Sequence, residues 1–279
     1  MEKIENRQEL EETFFHKGFP RELAGEVLNA LLQGNYTENA ETKKLELAVE
    51  HFTEIKGDEL GYRLHVAYDP SSNKAYLNTY DAAILNHPEG TREHNFLASS
   101  LITSTEAHRM LKYGKKVAVN KDLFNKERQK YNVWLSIDVE GAKDEKGNYP
   151  VISYHENYFK KRPFDVQAAL NEVHVPYQPI RQGVTPADYE RDLKKAHILE
   201  VTITHNNEEQ KGYLCVNPGE RRIEVYDKDG KLIPSPDQKQ SQGKQQQETT
   251  SGEVKKKPWG NQKVTSQNQG SKQHKGLKP

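Results

Sequence analysis

The feature that most constrains this chain is a threefold internal echo. In each copy a helix ending Leu-x-x-Gly or Leu-x-x-Ala precedes a Leu-x-Val/Ile triplet, and then a Tyr followed by an acid or a His. The first copy carries Leu31 and Gly34, Leu64-His65-Val66 and Tyr80-Asp81. The second carries Leu111 and Gly114, Leu135-Ser136-Ile137 and Tyr154-His155, and the third Leu193 and Ala196, Leu214-Cys215-Val216 and Tyr226-Asp227. Self-similarity of this kind predicts one small unit used repeatedly, each copy stabilised by docking on its neighbours. The fold class expected is α+β: three tandem helix-plus-antiparallel-β-meander modules, a helical N-terminal extension and a disordered C-terminal tail. Such repetition constrains architecture strongly and chemistry hardly at all.

Local patterns divide the chain at 1–102, 103–180, 181–234 and 235–279. In the first part Leu10, Phe14, Leu23, Val27, Leu28 and Leu31 recur at helical spacing. Gly18-Phe19-Pro20 interrupts them, which predicts two helices meeting at a corner, with Pro20 first in the second helix and Gly34 ending it. Alternating apolar and polar residues over 45–52, 62–68 and 75–80 predict strands, with a turn at 69–73. Ala82 to Leu85 reads as a helical turn and 87–90 as a loop.

The second part opens on Thr103-Ser104-Thr105-Glu106, the spacing of a capping box, and its helix stops at Gly114. Strands are expected at 116–120, 131–139 and 150–155, then a helix over 164–173 capped by Asp165. The third part opens on Thr185-Pro186, with a helix reaching about Ala196 and strands at 198–204, 212–216 and 222–226. A tight turn at 217–220 joins the last two.

Charge is segregated. The whole chain balances 41 basic against 41 acidic residues, but from Ser235 onward nine lysines face three acids, leaving 32 basic and 38 acidic residues before it. The tail is therefore the segment with long-range attraction for nucleic acid. It is rich in Gln, Lys, Ser and Gly, too polar to offset the roughly 1–2 kcal/mol per residue of backbone ordering. One cysteine, Cys215, excludes an intrachain disulfide and a cysteine zinc cluster. No apolar run approaches the roughly 18 residues of a membrane span. These readings lead to an expectation of a cytoplasmic location.

From Met110 to Ile233 the wording resembles a family of uncharacterised accessory proteins of bacterial conjugative transposons and related mobile elements. The resemblance is carried by Leu111-Lys112-Tyr113-Gly114-Lys115-Lys116-Val117, Tyr154-His155-Glu156-Asn157-Tyr158 and Phe164-Asp165-Val166-Gln167-Ala168-Ala169-Leu170. Lys160-Lys161-Arg162 stands as an insertion against that pattern. The resemblance implies tandem helix-plus-meander modules and a setting, mobile DNA in a bacterial cytoplasm. It implies no activity.

Candidate chemistry is sparse. Tyr154-His155-Glu156 joins a histidine to a carboxylate, the ingredients of a general base, although neighbours in a strand point to opposite faces. His65, Ser136 and Cys215 invite a nucleophile-and-base reading, but equivalent places in tandem modules lie a module apart. They read instead as residues of the less buried strand face. The 11 histidines form no short metal-ligand pair, and neither phosphate-cradling glycine motif is present, so no metal and no cofactor is expected. Two basic clusters remain as nucleic-acid contacts: Lys255, Lys256 and Lys257 with Trp259, and Lys160, Lys161 and Arg162, near Arg128 and Lys130.

The functional expectation is a non-catalytic interaction protein of a mobile element. Its modules would bind a protein partner and its tail would add weak nucleic-acid contact. The alternative is a hydrolase or nuclease using His155 and Glu156, with His174 or Asp165.

Overall fold

The chain begins with two helices, α1 (Arg7–His16) and α2 (Arg21–Leu32), joined by the expected corner. The computed structural model describes residues 4–39 and 44–236, so the tail read as disordered lies, from residue 237 on, outside the described residues. Pro20 is extended, at φ −57° and ψ 141°, and precedes the second helix instead of starting it. Gly18 takes φ +81°, and a Cβ there would stand 2.7 Å from the Ser104 hydroxyl, so the corner admits glycine for both conformation and space. Leu10, Phe14, Ala24 and Val27 bury almost completely along one side of the pair. Each large one contributes about 1.5–3 kcal/mol of burial.

These helices lie on a five-stranded antiparallel sheet: β1 (Thr37–Glu38), β2 (Leu45–Ile55), β3 (Asp58–Asp69), β4 (Lys74–Ile84) and β5 (Arg92–Leu97), in that spatial order. Where a helical turn was expected, Ala82, Ala83 and Ile84 continue β4 and pair with His94, Glu93 and Arg92. Those three residues are buried on a strand whose partner arrives only after the 87–90 loop, and that pairing overrides their local preference.

Next comes α3 (Ser104–Tyr113), with the full capping box: Thr103 accepts the Glu106 amide while Glu106 accepts the Thr103 amide. Gly114, at φ +55°, ends it. A three-stranded antiparallel sheet follows, β6 (Val119–Phe124), β7 (Lys130–Ile137) and β8 (Val151–His155). The first strand starts three residues later than its sequence pattern implied, because Gly114–Lys116 forms a 3-10 turn. Two short helices, α4 (Glu156–Phe159) and α5 (Val166–Asn171), lead on, the latter capped by Asp165 as expected.

The third sheet is built from β9 (Tyr177–Pro179), β10 (Leu199–His205), β11 (Glu208–Asn217), β12 (Arg222–Tyr226) and β13 (Leu232–Ile233). Between β9 and β10 runs α6 (Pro186–Leu193), which ends before Ala196 but starts at Thr185-Pro186 as expected, with a capping box between Thr185 and Asp188 that the sequence reading does not include. Strands β9 and β13 flank the meander, and neither was signalled by periodicity.

All three Leu-x-Val/Ile triplets occupy the middle strand of their sheet, β3, β7 and β11, and the tyrosines lie on the next strand. Their registers differ. Leu64 stands opposite Tyr80, whereas Tyr154 faces Trp134 and Tyr226 faces Tyr213, each one residue before the triplet's Leu. A one-residue difference moves the tyrosine to the other face.

Buried side chains form two cores. Helices α1 to α3 cover the first sheet, so α3 rests on strands that precede it in the chain. Helices α5 and α6 cover the third sheet. The middle sheet serves both, with Val119 and Ile137 in the first core and Trp134, joined by Ala118 just before β6, in the second. Burial corrects the reading of two of the triplet centres. Ser136 and Cys215 are 4% and 2% exposed, not on an open face, while His65 remains half-buried.

Candidate functional site

A cleft of about 510 Å³ opens between α3, the β2–β3 turn and the third sheet. Five cationic side chains line it: Lys56 from the turn, Arg109 and Lys112 from α3, Lys116 from the 3-10 turn, and Arg181 from the segment before α6. Asp192 and Glu200 are the acids on its lining.

Local chemistry places these groups. Lys56 sits at φ +53° in the two-residue turn that joins β2 to β3, so it projects at the end of that hairpin. Helical periodicity puts Arg109, Lys112 and Lys116 on one side of α3 and its extension, while Ala107, Met110 and Leu111 turn into the core. The capping box and Gly114 fix where that helix starts and stops.

Asp58 anchors the near wall. Its Oδ2 accepts from Lys112 Nζ at 2.6 Å and lies 2.7 Å from His108 Nε2. Burial pushes the Asp58 carboxyl up, but the hydrogen bonds from Lys112 and His108 outweigh it and hold it below the ordinary value. Burial lowers His108 against the opposing pull of Asp58 and favours the neutral imidazole, whose Nε2–H is the donor that this carboxylate can accept. His197, also on the lining, is lowered by burial with Arg109 adding to it.

The remaining cations have weaker ties. Arg109 donates to the Lys195 carbonyl at 3.1 Å, and Lys116 lies over the Tyr226 ring with Nζ 5.5 Å from its centroid. Among the described residues Lys56, Arg109, Lys116 and Arg181 form no ion pair, whereas Glu200 is engaged by Lys211 at 3.1 Å. At the floor Cys215 is buried, and burial pushes its thiol up to about 12. A thiol held that high is no nucleophile at neutral pH.

The residues singled out from sequence have other places. Lys160, Lys161 and Arg162 follow α4 as exposed side chains with no ion pair among the described residues. Beside them Arg221 stacks on Tyr158, 4.2 Å from the ring centroid, and donates to its carbonyl at 2.7 Å. Of the two neighbours considered, Lys130 is paired with Asp122 at 2.9 Å and Arg128 is exposed at φ +60°. Lys255, Lys256, Lys257 and Trp259 lie outside the described residues.

His155 ends β8 with its ring 5.7 Å from Tyr131, and Glu156 accepts the Asn132 amide at 2.9 Å. Asp165 accepts the Ala168 amide. No hydrogen bond joins His155, Glu156 and Asp165 to one another among the described residues. His65 meets Asp81 across the first sheet at 2.7 Å, and the Ser136 hydroxyl donates to the Val117 carbonyl at 2.8 Å.

Sequence reasoning missed the cleft because its cations come from separate segments, each ordinary by itself. Of these cations only Lys112 and Lys116 fall in the 111–117 segment that carries the resemblance. Among the described residues no group of three or more His, Cys, Asp or Glu is placed to hold a metal ion, and no helix is long and apolar enough to cross a membrane. No protein-family model, no curated protein and no solved structure matches the chain.

Proposed function

We propose that this chain is a non-catalytic interaction protein whose cationic cleft takes an acidic segment of a protein partner. The observation that carries the reading is the set of cations at the cleft: Lys56, Lys116 and Arg181 form no ion pair among the described residues, and Arg109, though drawn by Glu106 and Asp192, forms none at contact distance. Unpaired charge of one sign in a concave site focuses the field and attracts the opposite sign. The cleft holds a few side chains, not the long row of phosphates that an extended nucleic-acid track contacts. The triplet-centre side chains with nucleophile or base chemistry already have structural partners or deep burial, which favours binding over turnover.

The setting, a bacterial mobile element, rests on the wording of residues 110–233 alone. Descent of the three helix-and-sheet units from one duplicated module is part of the same proposal, supported by the triplets' shared place on central strands. Lys160, Lys161, Arg162 and the basic tail add salt-sensitive attraction to nucleic acid, and deleting the tail lowers both that binding and its salt slope.

Fluorescence anisotropy of the full chain with a labelled Glu/Asp-rich peptide tests the cleft. Lys116→Glu with Arg181→Glu weakens binding at least tenfold at low salt, while the same reversal at Lys160 and Lys161 leaves it unchanged. Equal affinity in both variants sinks the reading. So does an oligothymidylate that binds more tightly than the peptide and loses affinity with the cleft variant.

A further inference from the structure

Strand β2 runs past its outer neighbour. β1 pairs with it only at Leu45 and Glu46, so the stretch from Leu47 to Ile55 is an edge of the first sheet. Its hydrogen-bonding directions follow from the hairpin that it opens. Lys56 and Gly57, both at positive φ, form the two-residue turn between Ile55 and Asp58, whose closing pair is hydrogen-bonded. Bonded and non-bonded pairs alternate along an antiparallel ladder. His51, Thr53 and Ile55 therefore bond toward β3, while Ala48, Glu50, Phe52 and Glu54 turn their N–H and C=O groups outward. All four are exposed, and none of those outward groups has a backbone partner among the described residues.

Other edges are brief or held. β1, β9 and β13 are two or three residues long, and β8 has five and leads straight into α4. On β5 the Asn95 amide donates to the Asn148 side chain, and on β6 the Asn120 amide donates to the Lys194 carbonyl.

The sheet face beside the β2 edge selects side chains. Leu47 and Val49 pack on the first core, so Glu50, Phe52 and Glu54 lie on the face turned away from it. Glu54 stands opposite Glu59, and Glu50, Glu54 and Glu59 form no ion pair among the described residues. An apolar patch lies between these carboxylates. Phe52 and Leu85 are 63% and 41% exposed, and both reach over Gly61, where a Cβ would stand 3.3 Å from Phe52 and 3.5 Å from Leu85. An edge of this kind repels its own copy: two β2 strands paired antiparallel about Phe52 would set Glu50 against Glu54.

We propose that β2 accepts an extended basic segment of a protein partner as an added antiparallel strand. Its basic residues stand at positions i and i+4, against Glu54 and Glu50, and an apolar residue at i+2 meets Phe52 and Leu85. The main-chain bonds supply affinity and the alternate side chains supply selectivity. None of Ala48, Glu50, Phe52 and Glu54 lines the cationic cleft, so the proposal does not depend on that site.

Fluorescence anisotropy of the full chain with a labelled peptide centred on Lys-Thr-Ile-Thr-Lys tests it. The peptide binds saturably, and an isomer centred on Lys-Lys-Ile-Thr-Thr binds at least fivefold more weakly. In the proposed register the Ile amide donates to the Phe52 carbonyl, while the Thr amides face away. N-methylation at the Ile nitrogen therefore weakens binding at least tenfold, and at the preceding Thr nitrogen less than threefold. Glu50→Lys with Glu54→Lys costs at least tenfold. Phe52→Pro, which removes an outward N–H and leaves the ladder to β3 intact, eliminates binding. Lys116→Glu with Arg181→Glu leaves the affinity within twofold. Absence of saturable binding, equal affinity of the two isomers, or equal effects of the two methylations overturns the proposal. So does self-association in sedimentation that Glu50→Lys with Glu54→Lys abolishes, since a second copy would then be the occupant. Should Phe52→Pro fail to fold, the methylated peptides decide, because they leave the protein unchanged.

Discussion

Lys121 Nζ on β6 lies 2.7 Å from Glu106 Oε2 on α3, with side-chain exposures of 14% and 5%. The pair ties the helix over the first sheet to the first strand of the middle sheet. The same Glu106 carboxylate accepts the Thr103 amide at 2.8 Å, so it serves the helix start and the junction at once. Removing one partner of a buried pair strands the other charge, which costs about 3–5 kcal/mol. Glu106→Gln and Lys121→Met are each expected to destabilise by that order in urea denaturation. The double variant recovers part of the loss, and strict additivity would show that the two groups are uncoupled.

Gly114→Ala tests the helix stop. The residue adopts φ +55°, and a Cβ there would lie 2.6 Å from Val139 Cγ2. Strain and overlap together predict a loss of about 1–3 kcal/mol. Gly147→Ala, also at positive φ but in open space, loses less. Equal midpoints for the two variants would show that the contact with Val139 carries no cost.

Cys215 predicts a slow thiol and an alkaline liability. Burial raises its pKa from 9.0 to about 12, so above pH 9 the unfolded chain releases a proton that the folded chain keeps. Its stabilisation is complete below pH 9 and is lost as pH climbs toward 12. Cys215→Ala should therefore show a shallower stability decline than the parent between pH 9 and 11. At pH 8 an aromatic disulfide reagent labels the native chain slowly and the urea-unfolded chain at once. Rapid native labelling would contradict the burial.

Lys17 works in the opposite sense. Its ammonium donates to the Ala98 carbonyl at 2.5 Å, but burial, reinforced by Lys121, lowers its pKa from 10.5 to about 8. Between pH 8 and 10.5 the unfolded state binds more protons, so this residue's contribution to stability rises with pH across that window. Subtracting the Lys17→Met pH profile from that of the parent isolates the rise from thiol and tyrosine titrations. A flat difference curve would show that the amine titrates normally.

What the residues announced by themselves was local. Thr103 with Glu106, Asp165 with the Ala168 amide, and Thr185 with Asp188 are caps closed within three residues. The turn at 69–73 and the tight turn at 217–220 likewise depend on neighbours in sequence. The alternation of β3 and β11 was readable because one face of each buries Leu64 and Val66, or Leu214 and Val216.

Only the tertiary structure decided the rest. The stretch at Ala82 became strand because β5 pairs with it, and Ser136 and Cys215 became buried where the 3-10 turn Gly114–Lys116 meets β7 and β11. Lys56, Arg109, Lys116 and Arg181 converge on one cleft without any motif to mark it. Capping and turn bonds are short-range and leave a signature in spacing. Strand partners, shared cores and charge convergence join distant segments, and their energies arise only when those segments meet.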